Sequence, residues 1–136
     1  MAFTAPTPVR SLGIAVPTAA VAAIVVNLVV LFIGRAAGAT LVAAGQPVGV
    51  AQVIIATGVT FALGTGLLWL VARRRPGGVQ LLAWIGLGLG AVSTIAPLTM
   101  ATDLTAGLTL AAMHLAAGIA WFVAVRRSGE QAEPRP

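Results

Sequence analysis

The chain has 136 residues, of which 59% are hydrophobic and only 8% are charged, and its formal net charge is +5. Soluble domains carry about one-quarter charged residues, so a water-soluble fold of this size would leave too much apolar surface exposed. The lack of cysteine excludes thiolate catalysis, disulfides and iron–sulfur clusters, and the lack of lysine excludes Schiff-base cofactors. The arginines flank apolar runs and form no basic face with aromatics, so we predict no nucleic-acid partner.

Four apolar runs long enough to cross a bilayer follow one another along the chain, because about 20 helical residues span the hydrocarbon. The predicted helices cover residues 12–34, 50–72, 79–101 and 104–125, and polar tails are predicted at residues 1–10 and 126–136. The sequence therefore predicts one all-α domain, a four-transmembrane-helix bundle. The first run is too long for a signal-peptide core, but Ala37-Gly38-Ala39 resembles a cleavage site, so processing remains an alternative.

The first and second helices each carry a stripe of small residues four apart, and such stripes let helices approach closely. The stripes are Ala15, Ala19 and Ala23, ending at Asn27, and Gly58, Ala62 and Gly66. Between these helices, residues 35–49 are rich in glycine and alanine. We predict that this connection is an interfacial segment or a lid, because it is too short and interrupted to span as a helix.

The third helix contains Pro97, which cannot donate to the carbonyl of Ser93, so we predict a kink in its outer half. The fourth helix has Asp103 at its start and the only histidine, His114, near its middle. Small residues on the same face, among them Gly118, lead us to expect that the other helices pack around it. We predict that Thr102 caps this helix and that Asp103 faces its positive end.

The arginines predict the orientation of the bundle. Seven of the eight fall on the side that carries both termini, which the positive-inside rule places in the cytoplasm. We therefore predict a multi-pass protein of the cell (plasma) membrane with both termini cytoplasmic. Trp69, Trp84 and Trp121 come near the cytoplasmic ends of their helices, which predicts one interfacial aromatic belt.

Most polar residues within the helices fall in the predicted outer halves, with His114 near the midplane. The candidate ligand-binding residues are Asn27, Ser93, Thr94, Asp103, Thr109 and His114. We predict that Asn27, Ser93 and His114 converge on one interior polar cluster, because hydrocarbon makes unsatisfied polar groups costly. The alternative is structural: hydroxyls bond carbonyls one turn back, the amide and imidazole join helices, and the acid caps a helix.

Several chemistries lack their parts. A lone histidine is not a zinc site, and no nucleophile elbow or phosphate-binding lysine loop is present, so we predict no metal and no cofactor. We favour a non-enzymatic protein, either an accessory or interaction subunit or a binder of a lipid or small lipophilic molecule. Its expected partners are membrane lipids and a homo-oligomer or larger membrane complex. The alternative is a membrane enzyme or transporter that uses His114 as an acid/base or ligand-contact residue.

Three short patterns resemble one known group, the small four-helix actinobacterial membrane proteins of unknown function. They are Asn27 within VVNLVV, Ser93 to Pro97 within STIAPL, and Asp103 with Thr105 followed by Met113-His114-Leu115. The acid-to-threonine spacing is one residue shorter here than in the group's pattern. The resemblance implies no known activity, and it implies that the marked polar residues lie together at the outer end of the bundle.

Overall fold

The computed structural model describes residues 8–43, 45–75 and 77–130, and it is almost entirely helical. In chain order the elements are α1 Pro8–Ala36, β1 Val42–Ala43, β2 Gln46–Pro47, α2 Val50–Arg74, α3 Gly78–Val92, α4 Ile95–Met100 and α5 Leu104–Glu130. The four stretches long and apolar enough to cross a membrane are Ile14–Ala36, Val50–Arg74, Gly78–Met100 and Leu104–Ser128. The predicted all-α bundle of four membrane-spanning helices is confirmed.

The two predicted polar tails are shorter than expected. Residues 1–7 and 131–136 lie outside the described residues, but α1 already begins at Pro8 and α5 continues to Glu130. On α5, Ser128 is buried and donates its hydroxyl to the carbonyl of Ala124 at 2.8 Å. This bond satisfies the hydroxyl within the helix, so the residue does not interrupt it.

Apolar surface faces outward on every span. At most 33% of the residues in the most apolar window of any span are buried against other parts of the protein. Large side chains such as Ile14, Leu63 and Leu104 are largely exposed. Soluble proteins rarely expose contiguous apolar surface of this extent, whereas hydrocarbon solvates it. The chain is a multi-pass membrane protein.

The last helix, α5, is the centre of the packing. It packs most extensively against α1 and α3, and it also contacts α4. Helix α2 packs mainly against α1 and contacts α3 less extensively. The helices are therefore arranged in the order α2, α1, α5 and α3, and the seam between α2 and α3 is the least closed. This agrees with the expectation that the other helices pack around the histidine-bearing helix.

Two separate apolar cores hold the bundle. The arginine-end core lies toward Arg73–Arg75 and Arg127, and the hairpin-end core lies toward the β1–β2 hairpin. The first contains Val16, Ala23, Phe61, Leu68, Val79, Ala83, Trp121 and Val125. The second contains Leu31, Leu41, Val53, Ala106, Leu110 and Met113. Helices α1, α2 and α5 contribute to both cores, so each of these helices passes from one core to the other.

Trp121 fills the middle of the arginine-end core. Its indole Nε1 donates to the carbonyl of Leu82 on α3 at 3.0 Å, and its ring meets Phe61 of α2 edge-on with centroids 6.0 Å apart. The space exists because Gly64 and Gly86 have no side chains: an added Cβ would lie 2.8 Å and 2.1 Å from the indole ring. One side chain of α5 thus joins α2 and α3.

The predicted aromatic belt is wrong for Trp121, which is only 9% exposed. Trp69 and Trp84 are 46% and 53% exposed, as residues in contact with the interface would be. The guanidinium of Arg73 lies 3.6 Å from the centroid of the Trp69 ring, a cation–π contact at the arginine end. Trp121 differs because the two glycines facing it open a space of indole size inside the bundle.

Glycines bring α3 and α4 into backbone contact with α5. A Cβ on Gly90 would lie 2.7 Å from the Cα of Gly118, and one on Gly107 would lie 3.1 Å from the carbonyl oxygen of Pro97. Backbones that approach this closely leave no room for side chains between them. The α5 stripe is therefore the contact face that the sequence predicts.

The other two stripes have different outcomes. On α1, Ala23 is buried and Ala19 packs against the arginine-end core, so this face makes helix contacts as predicted. On α2, Gly58 and Gly66 have nothing within 4 Å of an added Cβ, and Ala62 is exposed. The predicted contact face on α2 is wrong, because this helix packs through Val53, Thr57, Phe61 and Leu68 instead.

The third span is interrupted between α3 and α4, which confirms the predicted kink. The amide of Ser93 still donates to Leu89 at 2.9 Å, but that of Thr94 turns to Ala91 at 3.2 Å, three residues back, and α4 starts at the next residue. Pro97 has no N–H to offer the Ser93 carbonyl, so the regular bonding cannot continue through this point. The span is broken into two helices.

The connection between α1 and α2 is a small hairpin over the end of the bundle. Gly38 ends α1 with a φ of 86°, and β1 pairs with β2 so that Val42 faces Pro47. Ala43 also bridges to Ala101, between α4 and α5. Leu41 adopts a φ of 50°, unfavourable for a residue with a Cβ, and its buried side chain completes the hairpin-end core.

Candidate functional site

A layer of polar side chains separates the two cores. We call Asn27 on α1, Thr57 on α2 and His114 on α5 the polar layer. Along the chain each is flanked by residues of both cores: Ala23 and Leu31 for Asn27, Phe61 and Val53 for Thr57, Trp121 and Leu110 for His114. The same succession on three helices shows that the polar residues share one level of the bundle.

The depths of Asn27 and His114 can be compared through a contact between α1 and α5. A Cβ on Gly34 would lie 2.5 Å from Oγ1 of Thr109, so these residues are level. Asn27 is seven residues from the first and His114 five residues from the second, toward the same end because the helices are antiparallel. At about 1.5 Å per residue, their depths differ by about 3 Å.

Asn27 is buried and only half satisfied. Its Nδ2 donates to Oγ1 of Thr57 at 3.1 Å, which joins α1 to α2, and the two residues are 4% and 8% exposed. Its Oδ1 is buried without a hydrogen-bond partner. A buried amide oxygen without a donor is costly, so this atom is a candidate contact for a donor group that enters the layer.

His114 is exposed although it lies on the buried face of α5. Leu110, Ala111 and Gly118, one turn away on either side, are all buried. Helix α5 touches α3 through Gly118 and α4 through Gly107, and His114 lies between these two contacts, beside the break after α3. An exposed side chain on a buried face marks a gap between helices. We call this gap the His114 opening.

The tautomer of His114 follows from its one intramolecular bond. Nδ1 lies 2.8 Å from the carbonyl oxygen of Leu110, and this end of the ring is partly buried. A carbonyl oxygen only accepts, so Nδ1 carries the hydrogen. In the neutral imidazole, Nε2 is then an acceptor on the other side of the ring from this bond, in a residue that is exposed as a whole.

The remaining predicted residues of the helices satisfy their hydroxyls locally. Ser93 donates to the carbonyl of Gly90 at 2.9 Å, Thr94 to Ala91 at 2.6 Å, and Thr109 to Thr105 at 2.7 Å. Such bonds within one helix are the structural alternative for these three residues.

The predicted convergence of Asn27, Ser93 and His114 on one cluster stays a prediction, because the structure shows no hydrogen bond among them. Asn27 pairs with α2, while Ser93 and His114 bond their own helices, and no hydrogen bond among the described residues joins the three. Polar side chains in a helix can bond the preceding turn, as Ser93 and His114 do, and then do not need partners across the bundle. The hydrogen-bond partner of Asn27 is Thr57 on α2, whereas the prediction expected a partner on the third span.

Asp103 forms a second polar group at the hairpin end, with residues that sequence analysis did not single out. Its Oδ2 accepts from both the hydroxyl and, at 3.2 Å, the amide of Thr40, and its Oδ1 accepts from the amide of Ala106 at 2.7 Å. Asp103 is therefore the cap of α5, and the prediction that Thr102 is the cap is wrong. Thr102 instead lies 2.6 Å, hydroxyl to hydroxyl, from Thr40.

These bonds lower the pKa of Asp103. The hydroxyl of Thr40 contributes most, followed by the amide of Ala106, because both stabilise the ionised carboxylate. We call Asp103, Thr40 and Thr102 the hairpin latch. Nothing in the sequence marks Thr40, since its position depends on how residues 37–49 fold.

The layer and the latch differ in what they can do chemically. The latch uses its carboxylate to hold two segments together, whereas the layer has one exposed residue, His114, and one buried oxygen without a partner, Oδ1 of Asn27. Within the described ranges, no three histidine, cysteine, aspartate or glutamate side chains come close enough to hold a metal ion. The polar layer is therefore the candidate binding site.

A family model described as "Family of unknown function (DUF6069)" matches residues 7–131. The chain belongs to this family. The predicted resemblance to a family of unknown function is confirmed to that extent, and the actinobacterial origin stays a prediction. Comparison with curated proteins and with solved structures gives no match.

Proposed function

We propose that this member of the family binds a small lipophilic molecule at the polar layer and does not convert it chemically. The observation that carries the proposal is the exposure of His114 on an otherwise buried helix face. Binding sites for apolar ligands are mostly apolar cavities with a few polar groups that fix orientation. The two cores provide apolar surroundings, and the polar layer between them provides the polar groups.

The break between α3 and α4 supports entry from the bilayer. Helix α2 has its main contact with α1 and α4 packs on α5, so the α2–α3 seam is the weakest side of the bundle. We propose that a ligand enters through this seam and reaches Nε2 of His114 at the level between the two cores. Hydrocarbon cannot supply a donor to that nitrogen, whereas a ligand can.

A substitution that fills the opening tests the proposal. His114→Trp places a large ring in the gap, and the matched control Leu115→Trp places the same ring on the neighbouring exposed side chain. Each protein is purified in mild detergent and extracted, and small molecules are quantified by mass spectrometry. We expect wild type and Leu115→Trp to retain one molecular species in proportion to protein, and His114→Trp to lose most of it.

Equal retention by all three proteins would assign the molecule to the outer surface and remove this binding site. Complete absence of any retained species from wild type, together with no saturable uptake of added lipophilic probes, would contradict the proposal as a whole. Folding of each variant is checked by circular dichroism, which is informative because the protein is almost entirely helical.

The proposed orientation places both termini in the cytoplasm and the hairpin outside the cell (plasma) membrane. It is supported by the arginine distribution: Arg73–Arg75, Arg126 and Arg127 all lie at one end, and Arg35 lies at the other. Reporter fusions after residue 42 and at residue 76 test it. An external reporter at 76 or a cytoplasmic one at 42 would overturn it.

An enzyme or transporter is the second candidate, favoured because Nε2 of His114 is not used by the bond to Leu110 and the residue is exposed. Acid/base chemistry would use that same atom. His114→Gln keeps a hydrogen-bonding side chain but cannot act as an acid/base group. Retained binding in His114→Gln with loss of a growth phenotype would favour the enzyme, and retained binding with no phenotype would favour the binder. Copurification of a larger complex would instead indicate the accessory-subunit role.

A further inference from the structure

The side chains at the His114 opening present hydrogen-bond acceptors, and this property restricts the ligand. Resting on the proposed function, we infer that the ligand is a lipophilic alcohol or phenol, which donates its hydroxyl hydrogen to Nε2 of His114. Ketones, quinones, esters and ethers of similar shape are disfavoured, because they only accept hydrogen bonds.

The argument begins with the fixed tautomer of His114. Nδ1 of His114 donates its hydrogen to the carbonyl oxygen of Leu110, and the two atoms are 2.8 Å apart. The neutral ring carries only this one N–H, so it has no second N–H to donate to a ligand. A ligand that reaches Nε2 therefore meets a lone pair.

The hydroxyl groups beside the opening also donate their hydrogens to backbone carbonyls. Ser93 and Thr94 form the break opposite His114, and each donates its single hydroxyl hydrogen to a carbonyl of its own helix. Each oxygen keeps lone pairs that can only accept. Both residues are partly exposed, so these lone pairs add to the acceptor character of the opening.

Asn27 repeats the pattern at nearly the same depth. Its amide donates to Thr57, and the atom left without a partner is the oxygen Oδ1. This oxygen is a further unpaired acceptor at this depth, on the side of α1 that bonds α2. An acceptor-only ligand would add a further unpaired acceptor to this set, whereas a hydroxyl satisfies one.

A hydroxyl fits better than an ammonium group. A cation taken into hydrocarbon is costly unless a carboxylate accompanies it. Asp103 is eleven residues along α5 from His114, about 16 Å away, and its oxygens are already bonded to the latch and the helix end. A neutral donor avoids this cost.

Nitrogen NMR of the single histidine measures both the tautomer of His114 and the hydrogen bond that a ligand donates to Nε2. The protein is labelled with ¹⁵N-histidine, purified with a histidine-free affinity tag and placed in phosphatidylcholine nanodiscs, so that every labelled resonance belongs to His114. We expect the protonated nitrogen to be Nδ1 and the unprotonated one to be Nε2. The opposite assignment would overturn the inference.

Two probes of matched shape then test the ligand class. para-Octylphenol has a hydroxyl, and para-octylanisole carries a methyl ether at the same position. We expect the phenol to shift the Nε2 resonance saturably, and the anisole to bind about tenfold more weakly, as the loss of one hydrogen bond predicts. The control Leu115→Ala should respond to both probes as wild type does.

The outcomes separate this inference from the proposed function. Saturable binding of both probes with equal affinity would overturn the donor requirement and leave the binding site standing. If neither the probes nor the extraction experiment shows saturable binding, the proposed function fails. In His114→Ala, the excess of phenol in protein-containing over empty nanodiscs should fall about tenfold, whereas that of the anisole should not change.

Discussion

The two ends of the bundle are held together in different ways. At the arginine end, Trp121 of α5 crosses the interior and contacts α2 and α3. At the hairpin end, the core is completed by Leu41 from the connecting segment, and the carboxylate of Asp103 ties that segment to α5. One end depends on a large side chain inside the bundle, the other on a cover bonded across its surface.

The difference reflects the solvent at each place. Lipid is as apolar as leucine, so burying apolar side chains gives little driving force inside a membrane, and close packing has to supply the stability. At the water boundary, polar groups can bond one another and the helix end at modest cost. The arginine end is packed by Trp121 and does not depend on a connecting segment across it. The hairpin end is closed by such a segment, and the His114 opening lies below that segment.

The largest expected effect comes from removing the packing of the arginine end. Trp121→Ala should destabilise the protein by about 3 kcal/mol or more, because it leaves a cavity between three helices and an unpaired Leu82 carbonyl. Unfolding is followed by circular dichroism during titration with sodium dodecyl sulfate. Trp84→Ala, at an exposed tryptophan, should keep a midpoint near that of wild type. Equal midpoints for the two variants would contradict the central role of Trp121.

A smaller effect is expected from separating α3 and α5 at the edge of the polar layer. Gly90→Ala should destabilise by about 1–3 kcal/mol, because the new methyl group meets the Gly118 backbone, which cannot move aside. Gly88→Ala, on the same helix with open space around it, should be neutral or stabilising, since alanine favours helix by about 1 kcal/mol over glycine. The same titration measures both, and a change of the same sign at both sites would contradict this contact.

The pair in the polar layer should contribute less. In a double-mutant cycle of Asn27→Leu and Thr57→Val, we expect a coupling energy of about 0.6 kcal/mol, typical of hydrogen bonds between membrane helices. Asn27→Leu alone should be close to neutral, because it removes an unpaired buried oxygen together with the bond. A coupling of zero would show that the bond from Nδ2 to Thr57 does not join the helices.

The smallest expected effect concerns the hairpin latch and depends on pH. The folded state lowers the pKa of Asp103 below its ordinary value of 3.8, so the latch stabilises the protein above that pH. This contribution should be lost as the pH falls from 3.8 through the folded pKa. Asp103→Asn should melt below wild type at neutral pH, and the difference should disappear in acid. A constant difference across that range would assign the effect to packing instead.

The sequence predicts the spans well because hydropathy is a property of each residue and adds along a helix. It does not predict which face of a helix meets a partner. The small-residue stripe of α2 looks like that of α5, yet Gly66 faces open space while Gly118 touches Gly90. Every span is apolar on all sides, so no contrast between a polar and an apolar face marks the interior.

The candidate site was only partly predictable. The depth of Asn27 and His114 follows from counting residues, and the structure agrees with it. Their partners depend on bonds with the preceding turn and on the α2 register, and these are decided by the whole assembly. The glycines that make room for Trp121, Gly64 and Gly86, are not distinguishable in the sequence from Gly66 and Gly88, which face open space. No pattern marks Thr40 either.

The central position of α5 has a consequence for the biogenesis of the protein. Each span is hydrophobic enough to insert into the bilayer by itself, but the fourth span supplies the contacts that join α1 to α3 and α4. We therefore expect that, during synthesis, the first three spans are only loosely associated in the bilayer until the fourth span has been inserted. A chain that stopped before Leu104 would keep the contact between α1 and α2 but would lack the helix that joins α1 to α3 and α4.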